Sequence, residues 1–245
     1  MKILEIHNVT KKYSRNKPCI LNNVNLTLKD GEFVAIMGPS GSGKTTLLNI
    51  ASGIDKCNSG DVYLLNNNIC KMKKNELSLL RRRNIGMVFQ DFNLLSSLTL
   101  KENILVPLIL DKKIDIIESN KVEELANLLG ITDILNSYPY EISGGQQQRA
   151  AICRAIINTP KILFADEPTG NLDSKSSMNV MSSFDLVRKD SNASILMVTH
   201  DAYTASYSDR VVFFKDGLTV QQIVKQKNSS NFYNEIIDII QNINN

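Results

Sequence analysis

The sequence has no hydrophobic run long enough to cross a membrane. Its longest uninterrupted apolar-rich stretch, residues 104–110, falls far short of the roughly 18 residues that a spanning helix needs. The first residues also lack the apolar stretch of a signal peptide before charged residues begin. We therefore expect no secretion, and we expect another chain to span any membrane that this protein serves.

The chain also has little excess charge and no closely spaced cysteines. The 28 Lys and Arg residues against 25 Asp and Glu give a net charge of +3, too small an excess to predict a nucleic-acid-binding surface. The cysteines lie far apart in the sequence with no C-x-x-C spacing, so we predict reduced thiols, with neither a zinc site nor a redox pair. These cysteines are Cys19, Cys57, Cys70 and Cys153.

The apolar pattern of the 245 residues predicts an α/β fold. Residues 31–37 indicate a buried strand, a glycine-rich loop follows, and residues 47–51 continue as an apolar helix. Residues 91–158 show helical periodicity with few strand signals, which predicts an inserted helical subdomain. Further short apolar runs predict parallel core strands; they lie at 162–165, 195–198 and 211–214.

The last residues of the chain predict one more helix, with its apolar residues on a single face. That face consists of Phe232, Ile236, Ile239, Ile240 and Ile243. We expect this helix to dock on its own domain, and binding to a partner is the alternative.

The loop between the first strand and its helix matches the pattern G-x-x-x-x-G-K-[ST]. Its residues are Gly38, Pro39, Ser40, Gly41, Ser42, Gly43, Lys44 and Thr45. Glycines permit turns that aim backbone N–H groups inward, and the helix N-terminus adds partial positive charge, so this loop is predicted to enclose phosphates. Lys44 should reach the β and γ phosphates, and the Thr45 hydroxyl should bind Mg²⁺. Thr46 is included in the predicted nucleotide site, with capping or packing as its alternative role.

Two acids and a histidine end later strands. Asp166 and Glu167 follow the strand at 162–165, and ligands collect at the carboxyl edge of a parallel sheet. Asp166 suits orientation of the metal, and Glu167 suits the general base that activates the attacking water. Two acids after a strand are structural more often than catalytic, but the phosphate-binding loop reverses that balance. His200 ends the strand at 195–198 and should hydrogen-bond the γ-phosphate, whereas the other histidine, His7, is expected to be structural.

Residues 143–147, within EISGGQQQR, match the signature of the ABC transporter nucleotide-binding subunits, and the chain resembles that family over nearly its whole length. The resemblance assigns Tyr13 to stacking on adenine, and Gln90 to linking metal, water and helical subdomain. It also implies that ATP lies between the phosphate-binding loop of one copy and the signature of a second copy. The signature residues of that second site are Ser143, Gly144, Gly145 and Gln146, with Asp173 in the loop that communicates across the dimer.

The resemblance implies a P-loop NTPase (RecA-like) core with an inserted helical subdomain and an N-terminal antiparallel β subdomain. In these terms residues 1–245 form a single nucleotide-binding domain. Its parts are a core at 1–90 and 159–228, a helical signature subdomain at 91–158 and a C-terminal helix at 229–245. The implied cofactors are ATP and Mg²⁺, and the implied partners are a second copy and a membrane permease, with no nucleic acid. We expect a peripheral protein at the cytoplasmic face of the cell membrane.

Within the family, residues 88–110 and 138–156 look most similar to the ATPases of bacitracin-type antimicrobial-peptide resistance transporters. Lipoprotein-release and macrolide-export ATPases are close alternatives. A soluble ABC ATPase of DNA repair or translation is a further alternative, although such proteins carry long coiled-coil insertions or two cassettes. A nucleotide-regulated signalling clamp, which hydrolyses ATP only incidentally, is the alternative outside the enzymes.

Overall fold

The computed structural model describes residues 1–14, 18–113, 120–226 and 231–244. The chain forms two compact units. The first consists of Met1–Leu77 together with Ser194–Asn245, and the second consists of Ser78–Ala193. None of the helices in the described ranges is both long and apolar enough to cross a membrane.

The first unit contains two groups of strands. One is an antiparallel sheet in the order β2-β1-β4-β5, formed by β1 (Lys2–Lys11), β2 (Leu21–Lys29), β4 (Ser59–Leu64) and β5 (Asn67–Asn68). The other has the order β10-β9-β3-β8, formed by β3 (Phe33–Met37), β8 (Ser194–Thr199), β9 (Arg210–Lys215) and β10 (Leu218–Val224). Strand β3 runs parallel to β8 and β9, and β10 is antiparallel to β9. All residues of β3 and β8 are buried, as is typical of parallel core strands.

Three helices belong to the first unit: α1 (Lys44–Ala51), α7 (Ala202–Ala205) and α8 (Phe232–Asn244). Helix α8 is the predicted C-terminal helix, and it buries Phe232 and Ile236 completely or nearly so. The Nζ atom of Lys215 donates a hydrogen bond of 2.7 Å to the carbonyl oxygen of Ile243. This bond satisfies a carbonyl group at the C-terminal end of the helix, where no further N–H of the helix is available.

The second unit places helices around a parallel pair of strands, β6 (Ile85–Val88) and β7 (Ile162–Asp166). Its helices are α3 (Leu100–Leu110), α4 (Lys121–Leu128), α5 (Gly144–Ile156) and α6 (Ser174–Ser191), and α2 (Lys74–Asn84) leads into it from the first unit. Helix α5 contacts α3, α6 and β6. A Cβ atom on Gly86 of β6 would lie 2.5 Å from the carbonyl oxygen of Ala155. Glycine is therefore required at position 86 for strand β6 to approach α5 so closely.

Two cysteines meet in the first unit. The Sγ atoms of Cys57, just before β4, and Cys70, just after β5, are 3.4 Å apart. All four cysteines are free thiols, in line with the predicted reduced state, but Cys57 and Cys70 are close in space although they are far apart in the sequence. The antiparallel hairpin between them folds the chain back on itself, so a separation of 13 residues in sequence becomes a contact in space.

Candidate functional site

The phosphate-binding loop joins the end of β3 to the first residue of α1 and passes close to neighbouring backbone. A Cβ atom on Gly38 would lie 2.0 Å from the carbonyl oxygen of Phe214, so no larger residue fits. Gly43 caps α1 with φ at 103°, a conformation that favours glycine. The two glycines thus fix where the loop leaves the strand and where it enters the helix.

Lys44 and Ser42 supply the polar groups of this loop. The side chain of Lys44 folds back over the loop, and its Nζ atom donates hydrogen bonds to the carbonyl oxygens of Gly38 at 2.8 Å and Pro39 at 3.0 Å. The Ser42 hydroxyl is buried and has no hydrogen-bond partner among the residues that the structure describes. A buried hydroxyl in this position, beside a helix N-terminus and a lysine, suits the oxygen atoms of a bound phosphate. Thr45 follows Lys44 and is exposed.

His200 lies beside the same loop. Strands β3 and β8 are paired in parallel, with Met37 opposite Thr199, so Gly38 and His200 leave adjacent strands at the same level. Both residues line an apolar cavity of about 140 Å³, together with Pro39 and the C-terminal helix residues Ile240 and Ile243. The sequence-based prediction that His200 reaches the phosphate-binding loop agrees with this placement.

Tyr13 is held by a polar cluster that the sequence did not reveal. Its ring is 57% exposed, and its hydroxyl donates a hydrogen bond of 2.9 Å to Asp55 Oδ2. The Nζ atom of Lys11 donates to Asp55 Oδ1 at 2.8 Å and lies 4.5 Å from the centre of the Tyr13 ring. Burial alone would raise the pKa of Asp55, but hydrogen bonds from Lys11, Lys56 and Tyr13 lower it below its ordinary value. Tyr13 is therefore an oriented, accessible aromatic ring, which suits stacking on a base.

In the second unit, Asp166 is the last residue of β7 and Glu167 follows it. Glu167 has φ at 46°, in the left-handed region, which costs a non-glycine residue roughly 1–2 kcal/mol. Its carbonyl oxygen accepts a hydrogen bond of 3.0 Å from the N–H of Gly170. Residues held in such conformations cluster at active sites, so the strain agrees with the predicted catalytic role of Glu167.

Gln90 meets the segment that follows Glu167. Its Nε2 atom donates a hydrogen bond of 3.0 Å to Asn171 Oδ1, and the amide of Asn171 donates in turn to Asp91 Oδ1 at 2.8 Å. A Cβ atom on Gly170 would lie 3.1 Å from the Gln90 amide. The predicted metal-linking glutamine is thus joined to the loop that carries Asp173.

Helix α5 holds both of these segments, through two residues that the sequence analysis missed. The completely buried Gln148 donates from Nε2 to the carbonyl oxygens of Phe89 at 3.1 Å and Pro168 at 2.6 Å. Arg154 donates to the carbonyl oxygens of Phe92 at 2.8 Å and Asn93 at 2.5 Å. Their acceptors flank Gln90 on both sides and adjoin Glu167. A glutamine and an arginine on a helix give no sequence signal of this role, since the acceptors are 59 or more residues away for three of the four bonds.

The predicted signature opens helix α5. Ser143 is its N-cap, with its Oγ atom accepting from the N–H of Gln146, while Gln146 Oε1 accepts from the N–H and the hydroxyl of Ser143. A Cβ atom on Gly145 would lie 3.0 Å from the side chain of Ser176, so α5 and α6 approach each other at their N-terminal ends. Asp173 caps α6, and hydrogen bonds from Ser176 lower the pKa of Asp173 below its ordinary value. Two helix N-termini, each with partial positive charge, therefore open side by side in the second unit.

The comparison with protein families now identifies the chain. Residues 21–170 match the family model described as "ABC transporter", so the protein belongs to the ABC transporter family as an ATP-binding subunit. It is an ATPase, which converts ATP and water to ADP and phosphate. The predicted P-loop NTPase fold with its helical and antiparallel β subdomains is confirmed.

Individual relatives cover almost the whole chain. The ABC transporter ATP-binding protein YxdL of Bacillus subtilis is 45% identical over 97% of this chain and 93% of its own length. The bacitracin export ATP-binding protein BceA of Halalkalibacterium halodurans is also 45% identical, over 97% of this chain and 95% of its own. Among solved structures, a dimeric post-hydrolysis state of the ATP-binding cassette MJ0796 bound to ADP and Pi matches with a TM-score of 0.80 and 38% identity. That match covers 91% of this chain and 99% of the MJ0796 chain.

Proposed function

We propose that this ATPase powers a separate membrane permease that confers resistance to antimicrobial peptides of the bacitracin type. The observation that carries the proposal is the similarity to a bacitracin export ATP-binding protein along 97% of this chain. In this proposal the protein binds the permease at the cytoplasmic face of the membrane. ATPases of lipoprotein release or macrolide export are the second candidate, because the same motifs serve those transporters.

In the proposed site, ATP binds with its phosphates against the loop from Gly38 to Thr45. The buried Ser42 hydroxyl and the carbonyl-bonded Lys44 support this assignment, since a phosphate offers oxygen acceptors to both groups. Adenine stacks on the exposed ring of Tyr13, which its bond to Asp55 holds in orientation. The remaining loop residues, together with Thr46, complete the nucleotide site.

We assign the chemistry to residues at the ends of β7 and β8. The oxygen atoms of Thr45, Gln90 and Asp166 are the groups that would hold Mg²⁺, because they are hard ligands of the kind it prefers. Glu167 accepts a proton from the attacking water, and His200 donates a hydrogen bond to the γ-phosphate. When bound, the metal would supply positive charge that offsets the negative charge of the phosphate oxygens.

A second copy completes each site in this proposal. The N-terminal end of α5, with Ser143, Gly144, Gly145 and Gln146, offers N–H groups and a hydroxyl to the γ-phosphate bound by the partner. The neighbouring N-terminus of α6, capped by Asp173, adjoins that contact. The dimeric form of the similar MJ0796 cassette supports this arrangement.

In this proposal the permease docks on the second unit. A groove of about 320 Å³ is lined by Arg82, Phe89 and Pro107, among others. At its side, the end of α3 exposes the apolar residues Ile109 and Leu110, which are 57% and 60% exposed. Because Phe89 adjoins Gln90, a permease segment in this groove would contact the segment that carries the proposed metal-linking glutamine.

Co-expression with a bacitracin-type permease tests the proposal. We expect the permease to co-purify with this chain, to raise its ATP turnover and to increase survival of cells in bacitracin. A chain with Ile109→Ser and Leu110→Ser should keep its basal turnover and lose at least about tenfold of the co-purified permease, as loss of two apolar contacts predicts. Val224→Ser, an exposed apolar position in the first unit, is the matched control and should change neither. Basal ATP turnover that no such permease alters, with no gain in survival, would contradict the peptide-resistance assignment.

A further inference from the structure

The pair formed by Cys57 and Cys70 is unrelated to the ATPase chemistry. The two Sγ atoms are 3.4 Å apart, which is van der Waals contact between sulfur atoms, whereas a disulfide bond requires about 2.05 Å. Cys57 Sγ also lies 3.7 Å from the carbonyl oxygen of Gly60, and the N–H of Cys70 donates to Asn68 Oδ1 at 3.1 Å. The hairpin β4–β5 thus holds both thiols in place from the same side.

The pair is accessible to a small reagent. Both cysteines are half-buried, and both line a cavity of about 60 Å³ together with Asp55 and Lys56. Each cysteine has a lysine as its sequence neighbour, Lys56 before Cys57 and Lys71 after Cys70, and both lysines are exposed. Lys71 is ion-paired with Asp61 at 3.2 Å, so the exposed ammonium group of Lys56 is the one that favours the approach of an anionic reagent to the thiols.

We propose that Cys57 and Cys70 form a dithiol site that a low-molecular-weight anionic disulfide oxidises to an intramolecular disulfide bond. In the first step the Cys70 thiolate attacks one sulfur of the reagent, which forms a mixed disulfide and releases one thiolate. In the second step Cys57 loses its proton to water and attacks the Cys70 sulfur, which releases the second thiolate. Two protein thiols are oxidised by two electrons, and one reagent disulfide is reduced to two thiols.

The order of these steps follows from the surroundings of the two sulfurs. Burial and the adjacent Cys70 thiol raise the pKa of Cys57 to about 11. The Cys57 thiol also donates to the carbonyl oxygen of Gly60 at 3.7 Å, and a thiol held in its protonated form is a poor attacking group, so the first attack falls to Cys70. Cys57 then resolves the mixed disulfide, because it lies within contact distance of the sulfur that carries the leaving thiol.

A disulfide bond at this site would connect two segments of the first unit. Oxidation would link the β4–β5 hairpin covalently to the loop that ends at Cys57, and Asp55 and Lys56 in that loop hold Lys11 and Tyr13. Both cysteines can be monitored by mass spectrometry in one tryptic peptide, because residues 57–71 lie between cleavage sites at Lys56 and Lys71 with none between.

The test uses the reduced full chain, treated with oxidised glutathione under native conditions, alkylated with N-ethylmaleimide and digested with trypsin. We expect the 57–71 peptide to take up two maleimides before oxidation and none after it, with two hydrogens lost. Digestion at Tyr63 should then give two fragments joined by a bond that dithiothreitol breaks. Cys19→Ser is the control and should change nothing, whereas Cys57→Ser should leave Cys70 carrying one glutathione.

Three results would each overturn the proposal. Two maleimides on the 57–71 peptide after oxidation would show that the thiols do not react. Separate glutathione adducts on Cys57 and Cys70 in the unsubstituted chain would show that they do not resolve each other. A disulfide-linked dimer that disappears in Cys57→Ser would show that the pairing is between chains.

Discussion

Replacing Gln148 by leucine should slow ATP hydrolysis without weakening ATP binding. Gln148 donates both of its hydrogen bonds to carbonyl oxygens of the second unit, those of Phe89 and Pro168. These carbonyls immediately precede Gln90 and follow Glu167, the proposed metal-linking residue and general base. Leucine has a similar volume and cannot donate, so the carbonyl oxygens of Phe89 and Pro168 lose their hydrogen bonds to helix α5. The hydrogen bonds from Arg154 to Phe92 and Asn93 remain, and the phosphate-binding loop is unchanged.

The magnitude follows from the groups that change partner. A buried carbonyl oxygen on Pro168 and a part-buried one on Phe89 lose a donor, at a cost of roughly 1–3 kcal/mol each. The Oε1 atom of Gln148 is buried without a partner among the described residues. Its removal relieves one such desolvation cost, which is a gain in unfolding free energy of similar size. The net loss of unfolding free energy is about 2 kcal/mol, which corresponds to a Tm about 6 °C lower for a chain of this length. A misplacement of Gln90 and Glu167 that raises the barrier by about 1.4 kcal/mol lowers kcat tenfold.

The assay measures kcat, KM for ATP and Tm on the same preparations. We expect Gln148→Leu to lower kcat about tenfold with KM within about twofold, since only groups acting in the chemical step are disturbed. Gln148→Glu should be worse in kcat and Tm, because a buried carboxylate would face two carbonyl oxygens. The matched control is Gln221→Leu, an exposed glutamine on β10 outside the proposed nucleotide site, and it should change each quantity little.

Equal kcat and Tm in Gln148→Leu and the unsubstituted chain would refute this reasoning, because the two carbonyls would then not depend on the amide. A loss of Tm with normal kcat would also refute it, since Gln148 would then stabilise the fold without positioning the catalytic segments.

Other positions give sharp expectations. Glu167→Gln should leave ATP binding intact, lower turnover at least about a hundredfold and accumulate an ATP-bound dimer in gel filtration; near-normal turnover would remove Glu167 from the general-base role. Lys44→Ala should abolish measurable nucleotide binding or turnover, because it removes the ammonium group that contacts the β and γ phosphates. Unchanged affinity in a titration would argue against the proposed site. Tyr13→Ala should weaken ATP binding about tenfold and Tyr13→Phe less than threefold, since only the first removes the stacking ring; equal losses would show that the hydroxyl matters instead. Because hydrogen bonds lower the pKa of Asp55, its stabilising contribution is present above about pH 4 and is lost as pH falls through the folded-state pKa, so Asp55→Asn should flatten the acid limb of the stability profile.

The parts of the site that lie on local sequence patterns were predictable. The loop before Lys44 needs glycines for its turns, the acids Asp166 and Glu167 end an apolar run, and Ser143 opens a helix with a glutamine three residues later. Each of these signals depends on residues that are neighbours in the chain, so a single sequence contains it. The apolar face of the C-terminal helix was readable for the same reason, since helical periodicity fixes which residues share a side.

The parts that depend on contacts between distant segments were not predictable. Asp55 accepts a hydrogen bond from Tyr13, and Gln148 donates to Pro168. Both are polar residues of ordinary types, and the neighbouring sequence gives no sign that packing buries or pairs them. The contact between Cys57 and Cys70 was not foreseen, because spacing rules consider only the separation of cysteines along the chain, whereas a hairpin brings these two together. Periodicity predicts which face of an element is apolar, but the partner of each polar group is set only when the elements pack.

In the proposed dimer, the capping of helix α5 gives the signature a way to respond to nucleotide. Ser143 donates its hydroxyl hydrogen to Gln146 Oε1 at 3.0 Å, so the same group that would bind a γ-phosphate already has a neutral acceptor. A phosphate oxygen carries negative charge, and hydrogen bonds to a charged acceptor are roughly twice as strong as those between neutral groups. Exchange of Gln146 for phosphate is therefore favourable, while the N–H of Gln146 keeps its bond to Ser143 Oγ and the helix stays capped. Loss of the γ-phosphate on hydrolysis reverses the exchange, which gives the proposed dimer a reason to close on ATP and to open on ADP.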